Sequence, residues 1–269
     1  MSGPPIGLVL SDVDGTLVTS DKVLTPSAIA AAGELARHDI RLALTSARPP
    51  QGLLRFVEPL ALRTPLAAFN GGLIVDADLR VLHRQALDER VSAAVIELLL
   101  HHGLSVWVYR DAEWLVLDAT GPHVEHEAAV SDLAPTPLAS FDSVTDGVIK
   151  IVGVSDDPER GESASVAVRE QWGDRVAASR SQSYYLDVTH PDANKGSVVR
   201  FLSATYDVPV EAIATIGDMQ NDVAMFSASG LSIAMGNAEP AVQRAAHHVT
   251  RTNDDDGFAH AIEALILPR

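Results

Sequence analysis

The 269-residue chain has no cysteine, which excludes disulfide staples, thiolate catalysis and cysteine-based metal sites. Basic residues are scarce, with 20 Lys and Arg against 36 Asp and Glu and a net charge of −16. A surface of that sign repels phosphate backbones, so no nucleic-acid partner is expected. It also requires that any phosphorylated substrate meet a local cation. No apolar run approaches the roughly 18 residues that a membrane span needs. The opening Met1-Ser2-Gly3-Pro4-Pro5 has no basic region, and the apolar stretch after it is too short for a signal peptide. These absences lead us to expect a cytoplasmic protein without a membrane partner.

The chain does contain ordinary globular material, 46% hydrophobic and 21% charged, long enough for one large or two modest domains. Strands and helices alternate early: Ile6–Leu10, a helix opened by Thr25-Pro26 and running over Ala28–Arg37, Arg41–Thr45, a helix beginning in Pro49–Val57, and Leu66–Phe69. A hairpin is expected around Asp76–Arg80. The middle third changes character, with a helix from Asp88 to His102, several hairpin strands, a helix over Glu162–Trp172 and a loop over Leu133–Ser143. Alternation then returns through Gly196–Tyr206, Ala212–Ile216, Asn221–Ala228, Leu231–Ala234, Pro240–Ala246 and Gly257–Leu267. The pattern predicts an α/β fold, a doubly wound parallel-sheet (Rossmann-like) core with an inserted α+β cap domain. Residues 1–82 and 190–269 form the core and residues 83–189 the cap.

Four segments carry chemistry. Asp12-Val13-Asp14-Gly15-Thr16 follows an apolar strand and sets two carboxylates where open α/β sheets hold ligands. One can attack an electrophile while the other moves a proton. Thr45-Ser46-Ala47-Arg48 ends the second strand with a hydroxyl and a guanidinium suited to phosphate oxygens. Asn194-Lys195-Gly196 opens a helix, where amide dipoles and an ammonium together favour an anion. Gly217-Asp218-Met219-Gln220-Asn221-Asp222 delivers two more carboxylates and an amide to another strand end. Mg²⁺ takes one or two carboxylates plus substrate oxygens and water, and Asp12, the Asp14 backbone carbonyl and Asp218 would supply such a partial cage.

In this order the segments resemble the haloacid dehalogenase superfamily, and within it the Cof-type sugar-phosphate phosphatases. Phe69-Asn70-Gly71-Gly72, Ala234-Met235-Gly236-Asn237-Ala238 and Asn253–Gly257 extend the likeness along nearly the whole chain. The resemblance implies that Asp12 is a nucleophile forming an aspartyl phosphate and that Asp14 is the acid and then the base. It implies that Lys195 offsets negative charge and that Ser46, Lys195 and Asn221 contact phosphate, with Arg48 and Asn70 as further phosphate or substrate contacts. Asp12, Asp14, Asp218 and Asp222 are the implied Mg²⁺ site, Asp222 directly or through water. The implied partner is a small phosphorylated metabolite acted on by a monomer or small homo-oligomer. An Asp nucleophile is expected to be ionised near neutrality without an activating base. The family usually has Thr-Gly-Arg where this chain has Ser46-Ala47-Arg48; serine keeps the hydroxyl, and alanine loses glycine's freedom at positive φ.

Two rival readings stand beside phosphate hydrolysis: a phosphomutase of the same superfamily, and a non-catalytic binding or regulatory protein on this scaffold. The second would be marked by loss of Asp12, Asp14, Lys195 or Asp218, all of which are present. His123-Val124-Glu125-His126-Glu127 resembles a zinc helix but has Val130 in place of the second histidine, so it reads as polar cap surface. The acidic run before Gly257 lacks the first carboxylate of a calcium loop, and Asp256 reads as the cap of the last helix. Cap aromatics such as Trp107, Tyr109, Trp114, Tyr184 and Tyr185 pack in the core or stack on a sugar.

Overall fold

The computed structural model describes residues 4–144 and 146–267, without the side chain of Ser181; residues 1–3, part of the leader reading, lie outside them. Strands β1 (Leu8–Asp12), β2 (Arg41–Thr45), β3 (Leu66–Ala68), β4 (Leu73–Val75) and β5 (Val81–Arg84) come first. A second group follows: β6 (Ser105–Arg110), β7 (Glu113–Val116), β8 (Thr136–Pro137), β9 (Val148–Val154), β10 (Ala177–Gln182) and β11 (Tyr185–Thr189). The chain ends with β12 (Ile213–Gly217), β13 (Leu231–Ala234) and β14 (His248–Val249). Helices are α1 (Pro26–Arg37), α2 (Gln51–Leu54), α3 (Glu89–His101), α4 (Val124–Ser131), α5 (Pro158–Trp172), α6 (Lys195–Tyr206), α7 (Val223–Phe226), α8 (Pro240–Ala245) and α9 (Gly257–Ala261).

The core sheet runs β14-β13-β12-β1-β2-β3-β4-β5. It is parallel from β14 to β3, and an antiparallel hairpin completes that edge. All five residues of β1 are buried, and its apolar run Leu8–Leu10 is of the kind expected in a strand covered on both faces. Its side chains alternate: Leu8 and Leu10 pack with Val198, Val199 and Leu202 of α6, and Val9 packs with Ala28, Ala32 and Leu35 of α1. Thr25 caps α1 by accepting the Ala28 amide at 3.2 Å, with Pro26 in the first turn. Winding proceeds from β1 to β3 on one side and from β12 to β14 on the other, so the direction reverses between β1 and β12. Ligands of open α/β sheets bind at the carboxyl ends of strands beside such a reversal.

The second sheet, β10-β11-β9-β6-β7-β8, is antiparallel except for the two-residue β7–β8 pair. Helices α3 and α5 cover one face, where Val91, Val95, Leu99, Ala164 and Val168 pack on Val106, Val108 and Ile151. The other face belongs to the same apolar cluster as the core domain and carries Trp107, Tyr109, Trp114 and Tyr185. This is the inserted α+β cap. The chain leaves the core sheet after Arg84, enters α3 at Glu89 and returns between Thr189 and Lys195.

Several local expectations change. The segment 123–131, expected as polar cap surface, contains α4, which starts at a left-handed His123 with φ 62° and no side-chain cap. The expected loop over Leu133–Ser143 contains β8. Helix α5 begins at Pro158, four residues earlier than expected, because Asp157 caps it through the Glu159 and Arg160 amides. The helix expected to begin in Pro49–Val57 amounts to the four residues of α2. Asp256 does not cap α9 with its side chain; its carboxylate accepts a bond from Ser27 instead. Among the described residues no helix is long and apolar enough to cross a membrane.

Candidate active site

Asp12 closes β1, and Asp218 follows β12 on the other side of the reversal. With Asp222 they form a buried carboxylate cluster in which each residue offers an oxygen within 4.8 Å of the others. Lys195, the first residue of α6, is 1% exposed. Its Nζ donates to Asp12 Oδ1 at 2.5 Å and to Asp222 Oδ1 at 2.6 Å. Asn194 positions it by capping α6 through the Ser197 amide at 3.1 Å. Asp222 Oδ2 accepts the backbone amides of Asp218 and Met219, both at 2.9 Å, so this carboxylate shapes the loop that carries Asp218.

Two residues outside the predicted set hold Asp218. Thr16 Oγ1 donates to its Oδ1 at 3.0 Å. Asn237 Nδ2 donates to Oδ2 at 3.3 Å and to the Gly15 carbonyl at 2.9 Å. Both lie in segments that carry the family likeness, which was the signal available for them. Gly15 has φ 80°, and a Cβ there would collide with the Asp218 carboxylate, so the turn needs glycine for both backbone and space.

The carboxyl of Asp14 stands apart from the cluster. Arg48 Nε and Nη2 each donate to one of its oxygens at 2.7 Å, and Lys22 Nζ lies 2.9 Å from Oδ1. Ser46 is buried, and its Oγ accepts the Arg48 amide at 3.2 Å. Its carbonyl accepts the Asn70 amide at 2.8 Å, and Asn70 Oδ1 accepts from Asn221 Nδ2 at 3.0 Å. Every predicted site residue therefore joins either the Asp12–Lys195 cluster, the Asp14–Arg48 pair or the Ser46–Asn70–Asn221 chain of contacts.

The electrostatics follow from burial. Burial first, then Asp222 and Asp218, pushes the Asp12 carboxyl up to about 8 against the pull of Lys195. Burial and the neighbouring carboxylates therefore oppose ionisation of Asp12, and Lys195 favours it. Asp218 is pushed up to about 6 by burial and by Asp222. Burial opposes the charge on Lys195, yet Asp12 and Asp222 raise its ammonium well above the usual range. Burial would also raise Asp14, but Arg48 and Lys22 win and hold it at about 2.

An acid-rich site with a buried lysine at the winding reversal of a capped α/β core defines an enzyme of the phosphoric monoester hydrolase class. The model of the haloacid dehalogenase-like hydrolases matches residues 9–262, and the chain belongs to that family. A Haemophilus influenzae protein named for an inferred phosphatase activity is 30% identical over 256 residues, covering 95% of this chain and 96% of its own. A Bacillus subtilis phosphatase named for 5-amino-6-(5-phospho-D-ribitylamino)uracil is 24% identical over 279 residues, covering 95% and 96%. A Bacteroides thetaiotaomicron haloacid dehalogenase-like hydrolase of known crystal structure superposes with a TM-score of 0.87 at 27% identity, covering 96% of this chain and 98% of its own.

Proposed function

We propose that this chain is a Mg²⁺-dependent phosphatase that hydrolyses the monoester of a small metabolite, of the sugar-phosphate kind, through an aspartyl phosphate on Asp12. The observation that carries this reading is the convergence of Asp12, Asp218 and Asp222 on one buried point beside a single ammonium. Three carboxylates and one lysine leave excess negative charge that burial makes costly. An all-oxygen donor set of this kind suits a hard divalent cation. Asp12, Asp218 and the Asp14 backbone carbonyl would hold Mg²⁺. Asp222, both of whose oxygens already accept protein donors, would act through water and by positioning the Asp218 loop. When bound, Mg²⁺ offsets charge on the transferring phosphoryl group and on Asp12.

The chain's own groups then divide the work. An Asp12 oxygen attacks phosphorus, and the bond from phosphorus to the ester oxygen breaks. The leaving alkoxide takes a proton from Asp14. Water then attacks the aspartyl phosphate, Asp14 recovers the proton, and Asp12 and inorganic phosphate are released. Lys195 holds Asp12 in place, and Ser46 and Asn221 donate to phosphoryl oxygens. For Asp14 to donate, its carboxyl must first leave the Arg48 clasp, and a phosphoryl group is the natural new partner for that guanidinium. The Bacillus relative is named for a phosphate on a ribityl chain, which supports a polyhydroxylated substrate. A panel of phosphorylated metabolites assayed with and without Mg²⁺ tests the reading: phosphate release that needs the metal and disappears in Asp12→Asn supports it. Turnover that survives either change refutes it.

A further inference from the structure

The side-chain amide of Asn237 is shared between the two loops that carry the carboxylate cluster. Its Nδ2 donates to the Gly15 carbonyl at 2.9 Å and to Asp218 Oδ2 at 3.3 Å. Gly15 lies one residue beyond the Asp14 carbonyl proposed to hold Mg²⁺, so one NH₂ group ties that turn to the Asp218 carboxylate. Asn237 is itself exposed, and water competes for a donor in that position. The group that keeps its amide turned this way lies at the opposite end, where Oδ1 accepts the backbone N–H of Asn253 at 3.0 Å. With oxygen and nitrogen exchanged, the oxygen would face a carbonyl and a carboxylate, and the NH₂ would face an N–H.

Asn253 is built to hold that N–H still. It is 8% exposed and opens the short turn Asn253–Asp255. Its Nδ2 donates to the Val18 carbonyl at 3.1 Å, a buried contact between residues 235 positions apart. The adjoining Asp254 accepts the Ser20 amide at 2.8 Å and the Ser20 hydroxyl at 2.7 Å. On the other side Gly236 donates its amide to the Arg251 carbonyl at 2.9 Å. A Cβ on Gly236 would lie 2.9 Å from backbone atoms of Arg251 and Thr252, so the two backbones pack directly. The turn is thus wedged between the segment that follows Asp14 and the one that carries Asn237. A loop asparagine ordinarily bonds within its own turn; these bonds of Asn253 leave it, toward both halves of the carboxylate site.

We infer that Asn253 is a positioning residue for the metal site, acting through Asn237 without itself bonding the ion. The inference rests on the Mg²⁺-dependent reading above and extends it to a residue outside the four segments that carry the chemistry. The Asn253 side chain fixes the turn on Val18, its N–H fixes the Asn237 amide, and that amide holds Asp218 Oδ2 and the Gly15 carbonyl at their spacing. Without the tether to Val18 the turn shifts, Asn237 rotates, and Asp218 loses the donor on one of its two oxygens. Removing an outer partner that orients a metal ligand costs about tenfold or more in metal affinity.

Calorimetric titration of the substrate-free full chain with Mg²⁺ tests this, beside phosphate release from p-nitrophenyl phosphate. Asn253→Ala should weaken Mg²⁺ binding about tenfold and raise the Mg²⁺ concentration for half-maximal rate by the same factor, with kcat at saturating Mg²⁺ changed by less than about threefold. Asn237→Ala should weaken binding at least as much. The double variant should match Asn237→Ala within about twofold, because the two residues act in series. Additive losses, or unchanged Mg²⁺ affinity in folded Asn253→Ala, overturn the inference; a merely structural turn would lower the melting temperature alone. If the variants do not fold, NMR of the wild type decides: the Asn237 side-chain amide signals should move on addition of Mg²⁺, and signals that stay in place overturn the inference. A wild type that binds no Mg²⁺ overturns the metal-dependent reading and this inference with it. A wild type that binds the ion and hydrolyses the ester, with Asn253→Ala unaffected, overturns this inference alone.

Discussion

Arg48 grips both oxygens of Asp14 in one planar fork, at 2.7 Å on each arm, with Lys22 closing on Oδ1 at 2.9 Å. A carboxyl held at about 2 by these partners is a poor proton donor at neutral pH, so the clasp has to open during turnover. Removing it should leave a measurable trace. In Arg48→Met the Asp14 carboxyl should titrate at least one unit higher, read by carbon NMR of labelled aspartate. The depressed carboxyl contributes stability that is present above its unfolded value near 4 and lost as pH falls toward 2. Arg48→Met should therefore be less stable than wild type at pH 6 by roughly 1–2 kcal/mol, a figure reduced for solvent exposure, and the gap should close by about pH 2.5 in urea unfolding.

Lys195 neutralises two buried carboxylates at once. Lys195→Met should abolish turnover and cost about 3–5 kcal/mol at neutral pH, because buried Asp222 loses its cation and Asp12 loses its hydrogen-bond donor. Part of that loss should return as pH falls toward 5, where protonation removes the stranded charge. Denaturation midpoints at pH 7.5 and pH 5 distinguish this account from simple loss of side-chain packing, which has no pH dependence.

The raised carboxyls of Asp12 and Asp218, at about 8 and about 6, predict a metal-linked stability profile. A carboxyl raised by folding contributes stability that is full below its unfolded value and lost as pH rises through its folded value. The chelated protein should accordingly melt at higher temperature at pH 5 than at pH 8. Mg²⁺ should raise the melting temperature most at pH 8 and flatten the profile, since the ion replaces the missing protons. Calorimetry with and without chelator reads this directly. A Mg²⁺ shift independent of pH would contradict it.

Gly15 takes φ 80° with Asp218 packed against its Cα. Gly15→Ala should destabilise by about 1–3 kcal/mol through positive φ and the clash. Displacing Asp218 by even about 1 Å should cost on the order of 10²-fold in kcat. Stability and kcat measured on the same sample check both.

The motif-bearing strands were legible because a parallel strand buried on both faces is written as an unbroken apolar run. Leu8–Leu10 is of this kind, Ile213–Ile216 departs from it only at the buried Thr215, and the acidic motifs sit at their ends. Helix α4 was not legible, because it starts at a left-handed histidine and lacks both a cap and an apolar stripe. The side-chain partners of Asp14 and Asp256 were not legible for one shared reason. Each takes a tertiary partner, Arg48 34 residues away and Ser27 229 residues away, and no local pattern encodes such pairs. Thr16 and Asn237 were visible as motif members, but only the meeting of two loops shows that they brace Asp218.

Acid-quenched turnover followed by mass spectrometry of the Asp12 peptide is the most direct test of the central claim. The account predicts a base-labile phosphate on Asp12 that forms with Mg²⁺, is absent after chelation and is absent in both Asp12→Asn and Asp218→Asn. A phosphorylated residue elsewhere, or full turnover by Asp12→Asn, would contradict it.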